Sequence, residues 1–150
     1  MINVEEVILP NVPLSNFQLT DAAKKLNLKC FRGVFLRDEL PKKSRAIECG
    51  ILNLDARDRA SLVGSTEGTH WCCWYKTKNK RFYFDSYGLP PPTELVNYLK
   101  SPARGRTGGV YYNSERVQPD NTVFCGHLCL YVLKKMQDGL GFQEVINTLF

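Results

Sequence analysis

Cys125 opens an apolar run, Cys125-Gly126-His127-Leu128-Cys129, that reads as the first turn of a helix. A thiol in that place sits at the positive end of the backbone dipole, which favours the thiolate, the form that attacks carbonyl carbons. Upstream, Gly68-Thr69-His70-Trp71 supplies an imidazole and Phe84-Asp85-Ser86-Tyr87-Gly88 a carboxylate. A nucleophile, a base and an acid to orient the base are thus present in the order His, Asp, Cys. Triads are recognised by roles and geometry, and one geometry is reached in several chain orders. In peptide hydrolysis the Cys125 thiolate would attack, His70 would hold the proton and pass it to the leaving amine, and Asp85 would orient the imidazole. The backbone amide of Cys125 and the side-chain amide of Gln118, seven residues upstream, are the natural donors to the developing oxyanion.

Each residue also has a plainer reading. Cys125 could be a small buried hydrophobe, His70 a strand histidine bonded to backbone, Asp85 the closure of a turn with Ser86 and Gly88, and Gln118 an ordinary loop residue. The first three gain weight from one another's company; Gln118 is the weakest on physical grounds. His127, the other of two histidines, lies two positions after Cys125 on a helix. Side chains so spaced project in different directions, which disfavours it as the base. Trp71 reads as core or cleft wall.

The elements that must position these groups follow from pattern. Thr69–Tyr75 and Arg81–Asp85 form the clearest hairpin: both arms are aromatic and β-prone, with a Lys/Asn-rich turn between them. His70 at the start of one arm and Asp85 at the end of the other fall at one end of an antiparallel pair, opposite the turn. Thr122–Asp138 carries Cys125, Leu128, Cys129, Val132, Leu133 and Met136 on one helical face, with Asn121 or Thr122 as its cap and Gly139 as its end. Elsewhere the pattern predicts a short helix from Thr20, with Thr20 as N-cap, a strand over Ala46–Leu54 and a helix over Pro90–Leu99 entered through prolines with Thr93 as cap. A short strand is predicted at Val110–Asn113 and a closing helix over Phe142–Phe150. Leu28–Leu40 is mixed, punctuated by Gly33 and Pro41; Asp55–Gly68 and Ser101–Gly109 read as polar loops. No repeat or internal boundary appears, so residues 1–150 are expected to form one domain.

Composition bounds the rest. The chain has 150 residues, 43% hydrophobic and 23% charged, which suits one globular domain with a real core. No stretch is apolar enough to span a bilayer, and the N-terminus lacks a basic-then-apolar signal. The expected setting is therefore intracellular, not secreted, with no membrane partner. Six cysteines in that setting are expected to stay as thiols; Cys30, Cys49, Cys72, Cys73 and Cys129 read as small buried hydrophobes, with Cys72 and Cys73 on opposite strand faces. His70, Cys72, Cys73, Cys125, His127 and Cys129 lack the Cys-x-x-Cys knuckles of structural zinc, and no metal is expected. No Walker loop, Gly-x-Gly-x-x-Gly or His-Glu-x-x-His supports phosphate-cofactor or metalloprotease chemistry. The net charge is +5, clustered in Lys42-Lys43-Ser44-Arg45, in Lys76–Arg81 and in Arg104-Gly105-Arg106. Such clusters permit polyanion binding without requiring it.

Taken together, Gly-Thr-His70-Trp71, Tyr-Phe-Asp85-Ser-Tyr-Gly-Leu-Pro-Pro and Gln118 seven before Cys125-Gly-His-Leu-Cys129 resemble the adenovirus protease (adenain) family. Its clan also holds the SUMO and ubiquitin-like-protein proteases. Phe31–Pro41 and Glu48–Asp55 look especially like the adenain-like proteases of Maverick/Polinton elements and related viruses. The resemblance runs from about Phe31 to the C-terminus. It implies an α+β fold of the papain-like clan: a mainly antiparallel central sheet flanked by helices, with the nucleophile at the N-terminus of a buried helix. It also implies His70 as base, Asp85 as orienting acid, Cys125 as nucleophile and Gln118 in the oxyanion hole. Adenovirus enzymes carry Glu at the acid position, whereas Asp85 resembles the SUMO-protease branch and many Polinton-type sequences.

The expected activity is that of a cysteine endopeptidase, acting as a monomer on capsid or core precursors of a virus or virus-like element. Adenoviral members are stimulated by DNA and by a peptide that can attach through a disulfide. The basic clusters fit the first, and no position here matches the attachment cysteine; no cofactor is required for the chemistry itself. The alternatives are a protease that processes a SUMO- or ubiquitin-like modifier, and a catalytically silent binding module.

Overall fold

The computed structural model describes residues 2–4, 7–54, 70–100, 109–118 and 122–149. At its centre are β5 (Trp71–Lys76) and β6 (Arg81–Phe84), the aromatic hairpin, paired antiparallel from Cys73↔Phe84 to Lys76↔Arg81. The turn is closed by Thr77 N–H donating to Lys80 O at 2.9 Å and Lys80 N–H to Thr77 Oγ1 at 3.0 Å. On the other side β4 (Glu48–Asn53) lies antiparallel to β5, with Asn53 opposite Trp71. Its internal glycine has a packing reason: a Cβ on Gly50 would fall 2.4 Å from the Trp74 ring, which lies across it. β3 (Phe31–Leu36) adds parallel to β4, with a register shift between Phe31 and Val34, and β7 (Tyr111–Tyr112) adds parallel to β6. The sheet order is β3-β4-β5-β6-β7. This is the expected α+β fold, with the sheet antiparallel in its middle and parallel in its two outer pairings. A separate antiparallel ribbon, β1 (Ile2–Val4) and β2 (Val7–Leu9), precedes it.

Strand alternation splits the core into two layers, because successive side chains point to opposite faces. Cys49, Ile51, Trp71, Cys73 and Phe84 face α1 (Asn16–Lys25), α3 (Cys125–Gln137) and α4 (Phe142–Asn147). Leu52, Cys72, Trp74 and Tyr83 face α2 (Thr93–Leu99), through Leu95, Tyr98 and Leu99. Cys72 and Cys73 therefore do part to opposite layers. All six cysteines are thiols, with no disulfide among them; four of the five expected to be buried are so, while Cys30 is exposed, just before β3 begins. No described helix is long and apolar enough to cross a membrane.

Several boundaries differ from expectation. Helix α1 begins at Asn16, not after Thr20: Ser15 caps it, Gln18 N–H donating to Ser15 Oγ at 3.2 Å and Ser15 N–H to Gln18 Oε1 at 2.9 Å. Ser15-Asn-Phe-Gln18 is a capping box that outranks the single hydroxyl of Thr20, which bonds back to Asn16 O inside the helix at 2.8 Å. Thr93 is the first residue of α2, and Pro92 takes the cap position without a side-chain bond. Helix α3 starts at Cys125, three residues later than expected, so Thr122 does not cap it; Asn121 lies outside the described residues. The segment read as mixed, Leu28–Leu40, contains β3. Asp55–Gly68 and most of Ser101–Gly109 also lie outside the described residues, as does Phe150, and α4 ends at Asn147.

Candidate active site

The hairpin brings its two open ends together. His70 stands immediately before β5 and Asp85 immediately after β6, and Nε2 of His70 lies 2.5 Å from Oδ1 of Asp85. The carboxylate is fully buried. The same Oδ1 accepts the Tyr87 N–H at 2.8 Å, so Asp85 both closes its turn and holds the imidazole. Gly88 completes that turn by donating to Asp85 O at 2.8 Å. Its φ of +75° and the 2.9 Å that would separate a Cβ from the Glu115 carbonyl carbon leave room for glycine alone. Asn113, just past β7, brackets the backbone of Asp85: Asp85 N–H donates to Oδ1 at 3.0 Å and Nδ2 donates to Asp85 O at 2.6 Å.

Helix α3 delivers Cys125 to this corner as its first residue. The backbone N–H of Trp71 donates to Sγ at 3.4 Å, which ties the thiol to the residue next to His70. Trp71 itself is buried wall, its indole N–H donating to Leu14 O at 2.9 Å. Burial pulls the His70 pKa down, but hydrogen bonds with Asp85, Cys125 and Cys72 outweigh it and push the value up to about 12. His70 is thus held as the imidazolium. With Nε2 committed to Asp85, Nδ1 is the ring nitrogen left to exchange a proton with the thiol.

Two thiols approach this ring, and burial separates their chemistry. Cys72 has no exposed surface, and burial pushes its thiol up to about 12, against the opposing hydrogen bond to His70. Cys125 retains 9% of its surface, so it is the one a substrate could reach. His70, Cys72 and Asp85 place ligand-type atoms within 4.8 Å of one another. Their arrangement fits a proton-sharing pair better than a metal: donors on a tetrahedral zinc sit about 3.3 Å apart, wider than the direct His70–Asp85 contact.

The imidazole is also walled on its flat side. Tyr87 stacks on it with ring centroids 4.5 Å apart, and the Arg116 guanidinium lies over the Tyr87 ring at 4.4 Å. Gln118 is buried on the same platform. Its backbone N–H donates to Ser86 O at 3.1 Å, and its carbonyl accepts Arg116 Nε at 2.7 Å. Its amide Nε2 donates to Thr122 O at 3.0 Å, which ties Gln118 to the chain entering α3. That bond uses one amide hydrogen of two. His127 is held elsewhere, with Nε2 2.8 Å from Pro10 O and Phe124 against its edge. Burial lowers its pKa and keeps it neutral.

The structure therefore brings His70, Asp85 and Cys125 to one corner, through the His70–Asp85 contact and the Trp71 N–H bond to Cys125, and seats Gln118 beside the Asp85 turn. Residue pattern did not single out Tyr87, Asn113, Arg116 or Ser86. Tyr87 and Ser86 had a signal, being neighbours of Asp85. Asn113 and Arg116 had none, since their roles depend on how β7 docks.

No protein-family model and no curated protein matches this chain. Solved structures do share its fold. The crystal structure of the ASFV pS273R protease superposes with a TM-score of 0.58 at 15% identity, over 94% of this chain and 63% of that one. The selenomethionine form of the same protease gives 0.55 at 16% identity, over 93% and 63%. The chain thus spans less than two thirds of the length of the proteases whose fold it shares.

Proposed function

We propose that this chain is a cysteine endopeptidase with Cys125 as nucleophile, His70 as acid–base, Asp85 as the acid that orients it, and the Cys125 and Gln118 amides as oxyanion donors. The observation that carries this reading is the His70–Asp85 contact of 2.5 Å beside a helix-initial thiol that accepts the N–H of Trp71, the residue next to His70. The fold shared with the ASFV pS273R protease supports it independently.

The chemistry follows from the charge state. An imidazolium stabilised by a buried carboxylate is the partner that a thiolate needs, and Trp71 N–H gives the sulfur a further donor. Sulfur attacks the peptide carbonyl, and the electron pair moves to oxygen, where backbone and amide N–H groups receive it. His70 gives its proton to the leaving nitrogen as the C–N bond breaks, leaving a thioester. Water then attacks the thioester, His70 takes its proton, and the carboxylic acid leaves as sulfur regains the thiolate. No step needs a metal or a cofactor.

The substrates we propose are structural precursors of a virus or virus-like element, processed inside the cell or virion by a single-domain monomer. This rests on the motif resemblance to adenain-like proteases. A polyanion such as DNA is the proposed additional partner. Lys76 Nζ donates to Ser44 Oγ at 2.9 Å, so the Lys42–Arg45 run meets the basic hairpin turn. Burial, chiefly, and then the charges of Arg81 and Lys100 lower the Lys76 pKa against the pull of Glu48. This basic end lies at the opposite end of β5 from His70, roughly 20 Å away at about 3.3 Å per residue.

The test is a digest of capsid-precursor peptides and of ubiquitin-like modifier fusions by wild type and Cys125→Ala. Cleavage of the former by wild type alone is expected. Cleavage restricted to modifier fusions would move the reading to deconjugation, and equal activity of the two proteins would end it.

A further inference from the structure

Asp85 and Ser86 are consecutive, yet they hold different parts of the site. Asp85 holds His70; the Ser86 hydroxyl donates to Oε1 of Gln118 at 2.5 Å, with both residues buried. We propose that Ser86 is a positioning residue that fixes the amide face of Gln118, so that Nε2 and not Oε1 is turned toward the entry to α3. The inference rests on the protease reading above and assigns a role that reading leaves open.

The assignment follows from donor and acceptor logic. The carbonyl of Thr122 can only accept, so the amide atom 3.0 Å from it must be Nε2. Oε1 is then turned to Ser86, whose hydroxyl must donate. The rest of Gln118 is already clamped: its N–H and that of Val117 go to Ser86 O at 3.1 and 2.9 Å, and its carbonyl takes Arg116 Nε. The terminal amide torsion is broad and roughly two-fold, so it is the freedom that remains. Without the Ser86 hydroxyl a buried Oε1 loses its donor, and the Nε2–Thr122 O bond alone is left to hold the amide in the orientation proposed to offer its second hydrogen to an oxyanion.

Ser86→Ala separates this role from a general structural one. Peptide hydrolysis should lose about 10- to 100-fold in kcat with KM unchanged, less than the two to three orders typical of deleting an oxyanion donor outright. Alkylation of Cys125 by iodoacetamide forms no oxyanion, so its rate should stay within about twofold of wild type. Added to Gln118→Ala, Ser86→Ala should cost less than about twofold more, because its effect passes through Gln118. Ser86→Cys, which keeps a weaker donor in the same place, serves the same comparisons should the alanine variant not fold. Unchanged hydrolysis, an equal loss in both backgrounds, or a parallel loss of alkylation would each overturn the inference while leaving the protease reading intact. Wild type without Cys125-dependent hydrolysis would overturn both.

Discussion

The backbone N–H of Trp71 points at Sγ of Cys125, 3.4 Å away and 54 positions along the chain. That hydrogen bond joins the hairpin carrying His70 and Asp85 to the helix carrying the thiol, and it makes the site a junction of two core elements. The His70–Asp85 half is local to the hairpin; the Cys125 half depends on α3 packing against β5.

Replacing Asp85 by Asn keeps a hydrogen-bonding atom but removes the charge that keeps His70 protonated. The kcat for peptide hydrolysis should fall by about 10² to 10⁴. NMR titration of the His70 ring should show its pKa dropping from about 12 toward the ordinary 6.5. An unchanged titration would refute the pairing.

The same shift sets a pH dependence of stability. A His whose folded pKa is raised binds its proton more tightly in the folded state, so the stabilisation is complete below the unfolded value of 6.5 and is lost as pH rises toward about 12. The Tm advantage of wild type over Asp85→Asn should therefore be larger at pH 6 than at pH 10. Calorimetry at the two pH values checks the sign.

Thiol labelling should rank by access and, for Cys125, by its place beside the His70 ring in the proposed site. Cys125 should react with iodoacetamide before the exposed Cys30, while Cys72, fully buried with its thiol pushed up to about 12, should stay protected until the protein unfolds. Peptide mapping by mass spectrometry reads the order. Early modification of Cys72 would show that its layer is open.

At the far end of the sheet, the buried Glu48 carboxylate accepts Trp74 Nε1 at 3.0 Å, Tyr98 OH at 2.8 Å and Arg45 N–H at 2.6 Å. Glu48→Gln turns an NH₂ group toward this set of donors. It should destabilise the fold by about 2 to 4 kcal/mol in urea titration while kcat at low temperature is retained. A loss of kcat without a loss of stability would contradict the separation of the two ends.

If the basic end binds DNA, its affinity should fall steeply with salt. Replacing Lys42, Lys43 and Arg45 by Ala should lower the salt slope by up to about three, one for each phosphate that is no longer neutralised. Fluorescence anisotropy across a salt series measures it, and a salt-independent affinity would count against the surface.

Much of this site is written locally. His70 and Asp85 are separated by 15 positions and a turn, so strand pairing alone sets them side by side. The apolar period of α3 and the helix-initial place of Cys125 are equally local, since 3.6-residue periodicity needs no partner to be read. Capping is local as well: Ser15-x-x-Gln18 is a capping-box pattern in the sequence, and two reciprocal bonds outweigh the lone hydroxyl of Thr20.

Other features belong to the tertiary structure. Asn113 reaches Asp85, and Gln118 reaches Ser86, because β7 joins β6 in parallel with Tyr112 opposite Tyr83. Nothing in the order of residues specifies that pairing, since a two-residue strand carries too little pattern to choose a neighbour or a direction. The separation of Cys72 from Cys125 as thiols is likewise a matter of burial, which depends on what α2 and α3 cover. The residue types of the candidate site and the hairpin that sets His70 beside Asp85 were determined by sequence, because they rest on side-chain type and short-range pairing. Which thiol is accessible, and how the Gln118 amide is held, were decided only when distant segments packed, because burial and hydrogen-bond partners arise between elements that no local rule connects.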